Sequence, residues 1–428
     1  MADVQPFRGI RYGADHSGDL SRLLCPPYDV ISPDLQRRLH DSSPHNAIRL
    51  ELGLDSPGDS DESNRYTRAA ALLDEWLESG VLRHEDRPAF YLLREEFPHR
   101  GGHTHRLSLI ARVRLEELTA GIILPHEFTS PAPKKDRRAL LDATQANLSP
   151  IMSVYRDRTG LLADLIDAVA ARPPLAEAGH EDVAISLWGI QDEAETSAIT
   201  DALADSPVYL ADGHHRYETA LQYREDQRNA GAANGATDFI MMSLIEIAMP
   251  GLVVLPYHRM VRGLSEEQAD DLWRRVEESF DVEPVDVSGG DAAAALEERL
   301  EAAGSDLPAL GLLSNGGASA HLLTMRDTPD SSASPVERCV TWIVGARLLS
   351  PVLGSEAEAV DRGILAYSHD SAEVGEAVSD GGFQFGLVLP PVPLDLFEEV
   401  VLSGERMPIK STYFSPKLPT GLVINRLT

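Results

Sequence analysis

The segment YLADGHHRYETAL (209–221) concentrates groups that can do chemistry. Apolar Val208, Tyr209 and Leu210 predict a strand, Asp212 and Gly213 a tight turn, and His214, His215 and Arg216 the first turn of a helix. The first backbone N–H groups of a helix have no intrahelical partner, and its dipole favours an anion there. Gly213 lets the backbone approach a ligand, and Arg216 offers a fork of donors for phosphate oxygens. A neighbouring histidine can donate a hydrogen bond or move a proton near neutral pH. Phosphate binding is the chemistry this set serves best. Asp212, His214 and His215 are its candidate catalytic groups, and Gly213 and Arg216 its candidate phosphate contacts. The bland alternative is a capped surface helix with solvated histidines.

Three other segments carry related chemistry. PHEFTSPAPKKDRR (125–138) places His126 and Glu127 just beyond the apolar run GIILP, as a candidate acid–base pair. It then places Lys134, Lys135, Asp136, Arg137 and Arg138 at the expected entrance of a helix over 136–148, with Asp136 as its cap. Basic groups there oppose the helix dipole unless an anion is present, which makes Lys134 and Arg137 candidate cofactor contacts. PIKSTYFSPK (408–417) offers Lys410, Ser411, Thr412 and Lys417 to a phosphate or carboxylate, without the glycine spacing of a P-loop. CPPYDVISP (25–33) and NAIRLELG (46–53) offer Tyr28, Asp29, Asn46 and Arg49 as candidate substrate contacts; Arg49 is expected on a strand over 47–52, facing away from Ile48 and Leu50. No HExxH or CxxC spacing occurs, so no tight metal site is expected; a Mg²⁺ shared with nucleotide phosphates is the metal reading that remains.

The elements that must hold these groups read as mixed α and β. Strands are expected at 89–97, 107–115 and 251–261, and helices at 64–80, 161–172 and 265–280. A hairpin is expected around SNGG (314–317), followed by a polar loop at 327–335. Helices and strands alternate from there to a last strand in TGLVINRL (420–427). The expected fold class is α+β with mixed sheets. The composition shift places a main body at 1–285 and a second α/β lobe at 286–428, whose last segment can return to the main body.

Composition narrows the function class. The 428 residues carry a formal net charge of −30, which repels nucleic acid and anionic membranes. No apolar run is long enough to span a bilayer. The opening residues show no apolar signal region, so a cytoplasmic location is expected, in keeping with only two cysteines, Cys25 and Cys339. Lysine is scarce: Lys134, Lys135, Lys410 and Lys417 are the four lysines in a Lys plus Arg total of 38. A general bias toward arginine explains the scarcity. The surviving lysines are nonetheless candidates for places where a compact point charge is needed.

The blocks FRGIRY, CPPYDVISP, NRYTRAA, PHEFT, LSPIMSVY, ADGHHRYETAL, GLVVLPYHR and KSTYFSPKLPTGLVIN, in this order, resemble the signature blocks of the bacterial and archaeal domain of unknown function 1015. The DGHHR turn is also similar to the phosphate-binding turn of the ParB/sulfiredoxin superfamily, whose members bind ATP, ADP or CTP phosphates and include free-serine kinases. That resemblance implies nucleotide phosphates on Gly213, His214, His215 and Arg216. It departs from sulfiredoxin in having no cysteine before the His-Arg pair. The expected function is a phosphotransferase that uses ATP or ADP with Mg²⁺ on a small hydroxylated metabolite, free serine among the candidates. A phosphatase of a small phosphorylated metabolite and a non-catalytic ParB-like nucleotide-binding regulator are the alternatives. The expected partner is a small phosphorylated molecule rather than membrane or nucleic acid, and the oligomeric state is left open.

Overall fold

The computed structural model describes residues 2–13, 20–157, 160–204, 206–231, 233, 235–287, 290–304, 307–327 and 333–428. The fold is α+β with mixed sheets. The chain divides into two compact units. The first comprises Met1–Pro125, Thr129–Val253 and Pro416–Thr428; the second comprises His126–Phe128 and Val254–Ser415. The change of unit thus falls at Val253/Val254 rather than near residue 285, and the last segment is grouped with the first unit.

The first unit is built on a nine-stranded sheet. Its strands are β1 (Val4–Gln5), β2 (Phe90–His99), β3 (Gly102–Arg114), β4 (Ile123–Pro125), β5 (Ile151–Tyr155), β6 (Ala176–His180), β7 (Val183–Ile190), β8 (Val208–Asp212) and β9 (Phe239–Glu246). They lie in the order β4-β8-β5-β9-β3-β2-β7-β6, with β1 paired to β3. β8 runs parallel to β4 and antiparallel to β5, and β9 runs parallel to β5. Central strands buried on both faces read as continuous apolar runs, as in IMSVY and FIMMSLIE. Val113, Ile151, Leu210, Ile240 and Leu244 belong to the core beneath.

Helices α1 (Pro33–Ser42), α2 (Ile48–Glu51), α3 (Arg65–Glu78), α4 (Pro131–Thr144) and α5 (His214–Asn229) complete the part of this unit that concerns the turn. α3 starts where expected because Asn64 and Thr67 form a reciprocal capping box. Two expectations fail. The strand expected at 47–52 is the short helix α2, because Asn46 Oδ1 accepts the Ile48 N–H at 2.9 Å and starts a helical turn. α4 begins at Pro131 with Ser130 before it, since proline is pre-set for the first helical position. Asp136 therefore lies inside the helix and does not cap it.

The second unit holds an antiparallel six-stranded sheet. Its strands are β10 (His258–Val261), β11 (Phe280–Val285), β12 (Ala309–Ser314), β13 (Ser319–Met325), β14 (Leu365–Ser368) and β15 (Phe385–Val388), in the order β11-β13-β12-β15-β10-β14. The strand expected at 251–261 is broken at Pro256–Tyr257, where proline removes a ladder donor. β12 and β13 form the expected hairpin around SNGG. Much of the polar loop expected at 327–335 lies outside the described residues. The last strand, expected over 420–427, is limited to Asn425–Arg426.

Candidate functional site

β8 ends in a register shift between Leu210 and Asp212 against β5, and the chain then turns at Gly213 into α5. A bulge at a strand end re-aims the following side chain. Gly213 has φ +92°, in the region that favours glycine. A Cβ built there would lie 2.9 Å from Nη2 of Arg216 and 3.1 Å from its Nε. Glycine is thus needed twice, for the backbone and for the room that Arg216 occupies.

Arg216 folds back under the turn. Its Nη1 donates to Ser149 Oγ at 2.8 Å and to the Pro150 carbonyl at 3.0 Å, and its Nη2 stands 3.6 Å from Asp212 Oδ2. Its Nε is buried and has no hydrogen-bond partner among the described residues. Lys417 arrives from the far end of the chain: its Nζ lies 2.7 Å from Asp212 Oδ1, with its side chain 9% exposed. Burial raises the Asp212 pKa, but the charges of Lys417 and Arg216, with His214 behind them, outweigh it and bring the carboxyl down to about 2. Asp212 is therefore a fixed anion at neutral pH and a weak proton acceptor.

The two histidines differ. His214, the first residue of α5, is buried. His215 Nε2 accepts the Ser130 backbone N–H at 3.0 Å. Burial lowers the His215 pKa against the pull of Glu218, and Lys134 adds to the lowering. Its ring is thus neutral at pH 7, and one nitrogen is already engaged.

The 134–138 segment meets the same surroundings. Lys134 Nζ donates to Glu218 Oε2 at 2.9 Å, which also accepts from Thr129 Oγ1 at 2.6 Å. Arg137 is buried, donates to Glu51 Oε1 at 2.9 Å, and lies 4.0 Å from the centroid of the Tyr28 ring. Arg138 pairs with Asp142 and Asp226. Asp136 accepts from Arg65 and Tyr66. The apparent conflict of these basic groups with a helix start disappears. Lys134, Arg137 and Arg138 lie beyond the first residues of α4, and Glu218, Glu51 and Asp226, all distant in sequence, pair with them.

Tyr28 stands beside this group. Burial pushes its hydroxyl up to about 12, opposed by Arg216 and Arg137 and aided by Asp29 and Asp212. Asp29 itself is exposed. A cavity of about 50 Å³ lies beneath, lined by Arg137, Arg216, Glu51, Ser149 and Thr219 among others. Asn46 and Arg49 act elsewhere: Asn46 Nδ2 donates to the Arg22 and Leu24 carbonyls, and Arg49 Nη2 donates to the His40 carbonyl at 2.6 Å. They brace the α1–α2 connection.

The remaining candidates belong to the second unit. His126 is fully buried against Phe397 and Phe414, and its Nε2 shares a hydrogen bond of 2.8 Å with the Thr412 hydroxyl. Ser411 Oγ donates to the Pro408 carbonyl at 2.7 Å. Glu127 accepts the backbone N–H of Lys410, whose Nζ lies 3.3 Å from the Tyr257 hydroxyl. His126, Ser411 and Thr412 thus serve packing and loop closure. Among the described residues, no three His, Cys, Asp or Glu side chains gather as a metal-binding group. No helix among them is long and apolar enough to cross a membrane.

Ser149, Glu218 and Glu51 were not singled out from the sequence. Ser149 had a visible signal, since it opens the SPIMSVY run that feeds β5 beside β8.

The family model described as "Protein of unknown function (DUF1015)" matches residues 4–343. The chain belongs to the DUF1015 family. No curated protein matches this DUF1015 chain. Among solved structures, a free serine kinase variant in complex with ADP is 12% identical, with a TM-score of 0.37, covering 74% of this chain and 92% of that one. A free serine kinase in complex with AMP is 13% identical, with a TM-score of 0.38 and coverage of 74% and 91%. SbnI from Staphylococcus aureus, with a C-terminal truncation, is 12% identical, with a TM-score of 0.36 and coverage of 74% and 87%. These are remote likenesses to the DUF1015 chain.

Proposed function

We propose that the Asp212–Arg216 turn binds the phosphate groups of a nucleotide and serves phosphoryl transfer to a small hydroxylated metabolite. One observation carries this reading. Arg216 and Lys417, remote from each other in sequence, converge at the N-terminus of a long helix around a glycine whose Cβ would collide with the arginine. Phosphoryl transfer depends chiefly on positioning and on neutralising charge, and this turn supplies both. The helix N–H groups receive phosphate oxygens, Arg216 and Lys417 balance their charge, and Asp212 keeps the two cations in place.

In the transfer, the metabolite hydroxyl oxygen bonds to the terminal phosphorus. The bond from that phosphorus to the nucleotide's bridging oxygen breaks, and the electrons leave with the nucleoside diphosphate. The hydroxyl proton needs an acceptor. Asp212 serves poorly because its cations hold it ionised near a pKa of about 2. The exposed carboxylate of Asp29, next in the chain to Tyr28, is the acceptor this reading assigns instead. Both oxygens of Asp212 already face cations of the protein, so a Mg²⁺ accompanying the nucleotide would be held chiefly by the phosphates.

The test is a thermal-shift series with ATP, ADP, CTP, pyrophosphate and phosphoserine, with and without Mg²⁺. A nucleotide raises the melting temperature by mass action. No shift with any of these compounds ends the reading. A shift with phosphoserine alone favours the phosphatase alternative.

A further inference from the structure

Glu95 and Arg106 face each other directly across β2 and β3, and both are fully buried. Arg106 donates to Glu95 Oε2 from Nε at 2.9 Å and from Nη2 at 2.6 Å, while Glu95 Oε1 has no hydrogen-bond partner among the described residues. Burial raises the Glu95 pKa, and Arg106 opposes that. Stability is a poor reason for such a pair. Desolvating two charges is costly, and an apolar pair of similar volume is often equally stable.

Arg106 also reaches the returning segment: its Nη2 donates to the carbonyl of Pro416 at 2.8 Å. Pro416 immediately precedes Lys417, whose Nζ holds Asp212 at 2.7 Å. The returning segment is pinned again at Thr420, which exchanges backbone hydrogen bonds with Cys25. Lys417 therefore sits between two anchors, one made by a buried side chain and one by backbone. A lysine stem has many rotamers, and fixing its base lowers the entropy lost in placing the ammonium.

We propose that Arg106, aimed by Glu95, is a positioning residue that fixes the base of Lys417 and so delivers its ammonium to Asp212. Its value to phosphate binding rests on the reading given above, but the placement itself can be tested without a ligand.

The scarcity of lysine provides the readout. The four lysines of the intact protein are modified with a small amine-acylating reagent, and the rate at each site is read by mass spectrometry. Lys417 reacts slowly in the wild type, because it is paired and largely covered. In Glu95→Gln/Arg106→Met, which leaves neither charge buried alone, Lys417 reacts about tenfold faster. Lys134, held by Glu218, keeps its rate and serves as the internal control. Asp212→Asn accelerates Lys417 as well and marks the full effect. An unchanged Lys417 rate in a folded double variant overturns the proposal, because the Thr420 anchor would then suffice. If the double variant does not fold, Glu95→Gln decides: faster Lys417 modification supports positioning, and an unchanged rate overturns it. Inorganic pyrophosphate titrated into the same proteins separates the two readings. Failure of the wild type to bind it counts against phosphate binding and leaves the lysine result standing.

Discussion

Lys410 and Lys417 lie in one short segment, PIKSTYFSPK, yet the structure uses them in opposite ways. Lys417 is used for its charge. Its ammonium is covered and bonded to Asp212, and it holds that carboxyl far below the ordinary range. Lys410 is used for its backbone. Its φ is +59°, a left-handed conformation unusual for a residue with a Cβ, and its N–H is held by the Glu127 carboxylate. Its ammonium rests 4.7 Å from the centre of the half-buried Tyr257 ring. Residue type alone therefore says little about why a lysine is present. Its backbone angle and the burial of its partner do.

The comparison is broken most severely at Arg216. Removing this guanidinium takes away the group proposed to bind phosphate and frees the space beside Gly213. Arg216→Ala should weaken nucleotide or pyrophosphate affinity at least a hundredfold, roughly 3 kcal/mol or more, measured by calorimetry. The protein should still fold, because Lys417 keeps its pair with Asp212 when Arg216 is gone. An affinity within threefold of wild type would remove the turn from the site.

The two units also differ in how acid attacks them. In the second unit, His258 is buried and its Nδ1 accepts the Leu389 N–H at 3.0 Å. Burial, helped by Arg259, lowers its pKa to about 4. A histidine with a depressed folded pKa stabilises the fold fully above its unfolded value and loses that contribution as pH falls through the folded value. From about 6.5 down to about 4 the loss is about 3 kcal/mol. Asp212 has the same sign but a lower window. Its contribution is present above the ordinary carboxyl value and is lost as pH falls toward about 2, amounting to roughly 2 kcal/mol. Acid titration followed by residue-resolved hydrogen exchange should therefore show β10 and β15 loosening before β8. His258→Gln should flatten the limb between pH 6.5 and 4 without moving the lower one. Lys417→Met should do the reverse, raising the Asp212 midpoint and removing most of its roughly 2 kcal/mol.

Much of the first region was legible in advance because it is local. The strand, the Asp-Gly turn and the helix follow one another within the DGHHR block, and hydrophobic periodicity with one glycine describes them. The α+β class was legible for the same reason. What stayed hidden depends on partners far away in the chain. Lys134 and Arg137 resembled an anion site because Glu218 and Glu51 could not be placed beside them. Residues 47–52 alternate like a strand, yet the Asn46 side chain starts a helix there and Arg49 donates to the His40 carbonyl. Glu95 and Arg106 resemble solvent-facing positions of amphipathic strands, and the bond from Arg106 to Pro416 depends on a segment 310 residues further along the chain. His126 looked like an acid–base group beside Glu127 but fills an aromatic core.

The finest test of the contrast is a pair of substitutions made at both lysines. At Lys410 the positive φ penalises any side chain, while the ammonium–ring contact is exposed and weak. Lys410→Ala keeps the strain and loses the contact; Lys410→Gly loses both. Glycine should therefore be the more stable of the two by about 1 kcal/mol, measured by chemical denaturation. At Lys417 no left-handed angle occurs among the positive-φ residues, so the ordering should invert. Both variants lose the Asp212 pair equally, and glycine adds only backbone entropy to the unfolded chain. Equal ordering at the two sites would mean that the backbone angle does not set the requirement at Lys410. The difference between the lysines would then lie only in which carboxylate each one meets.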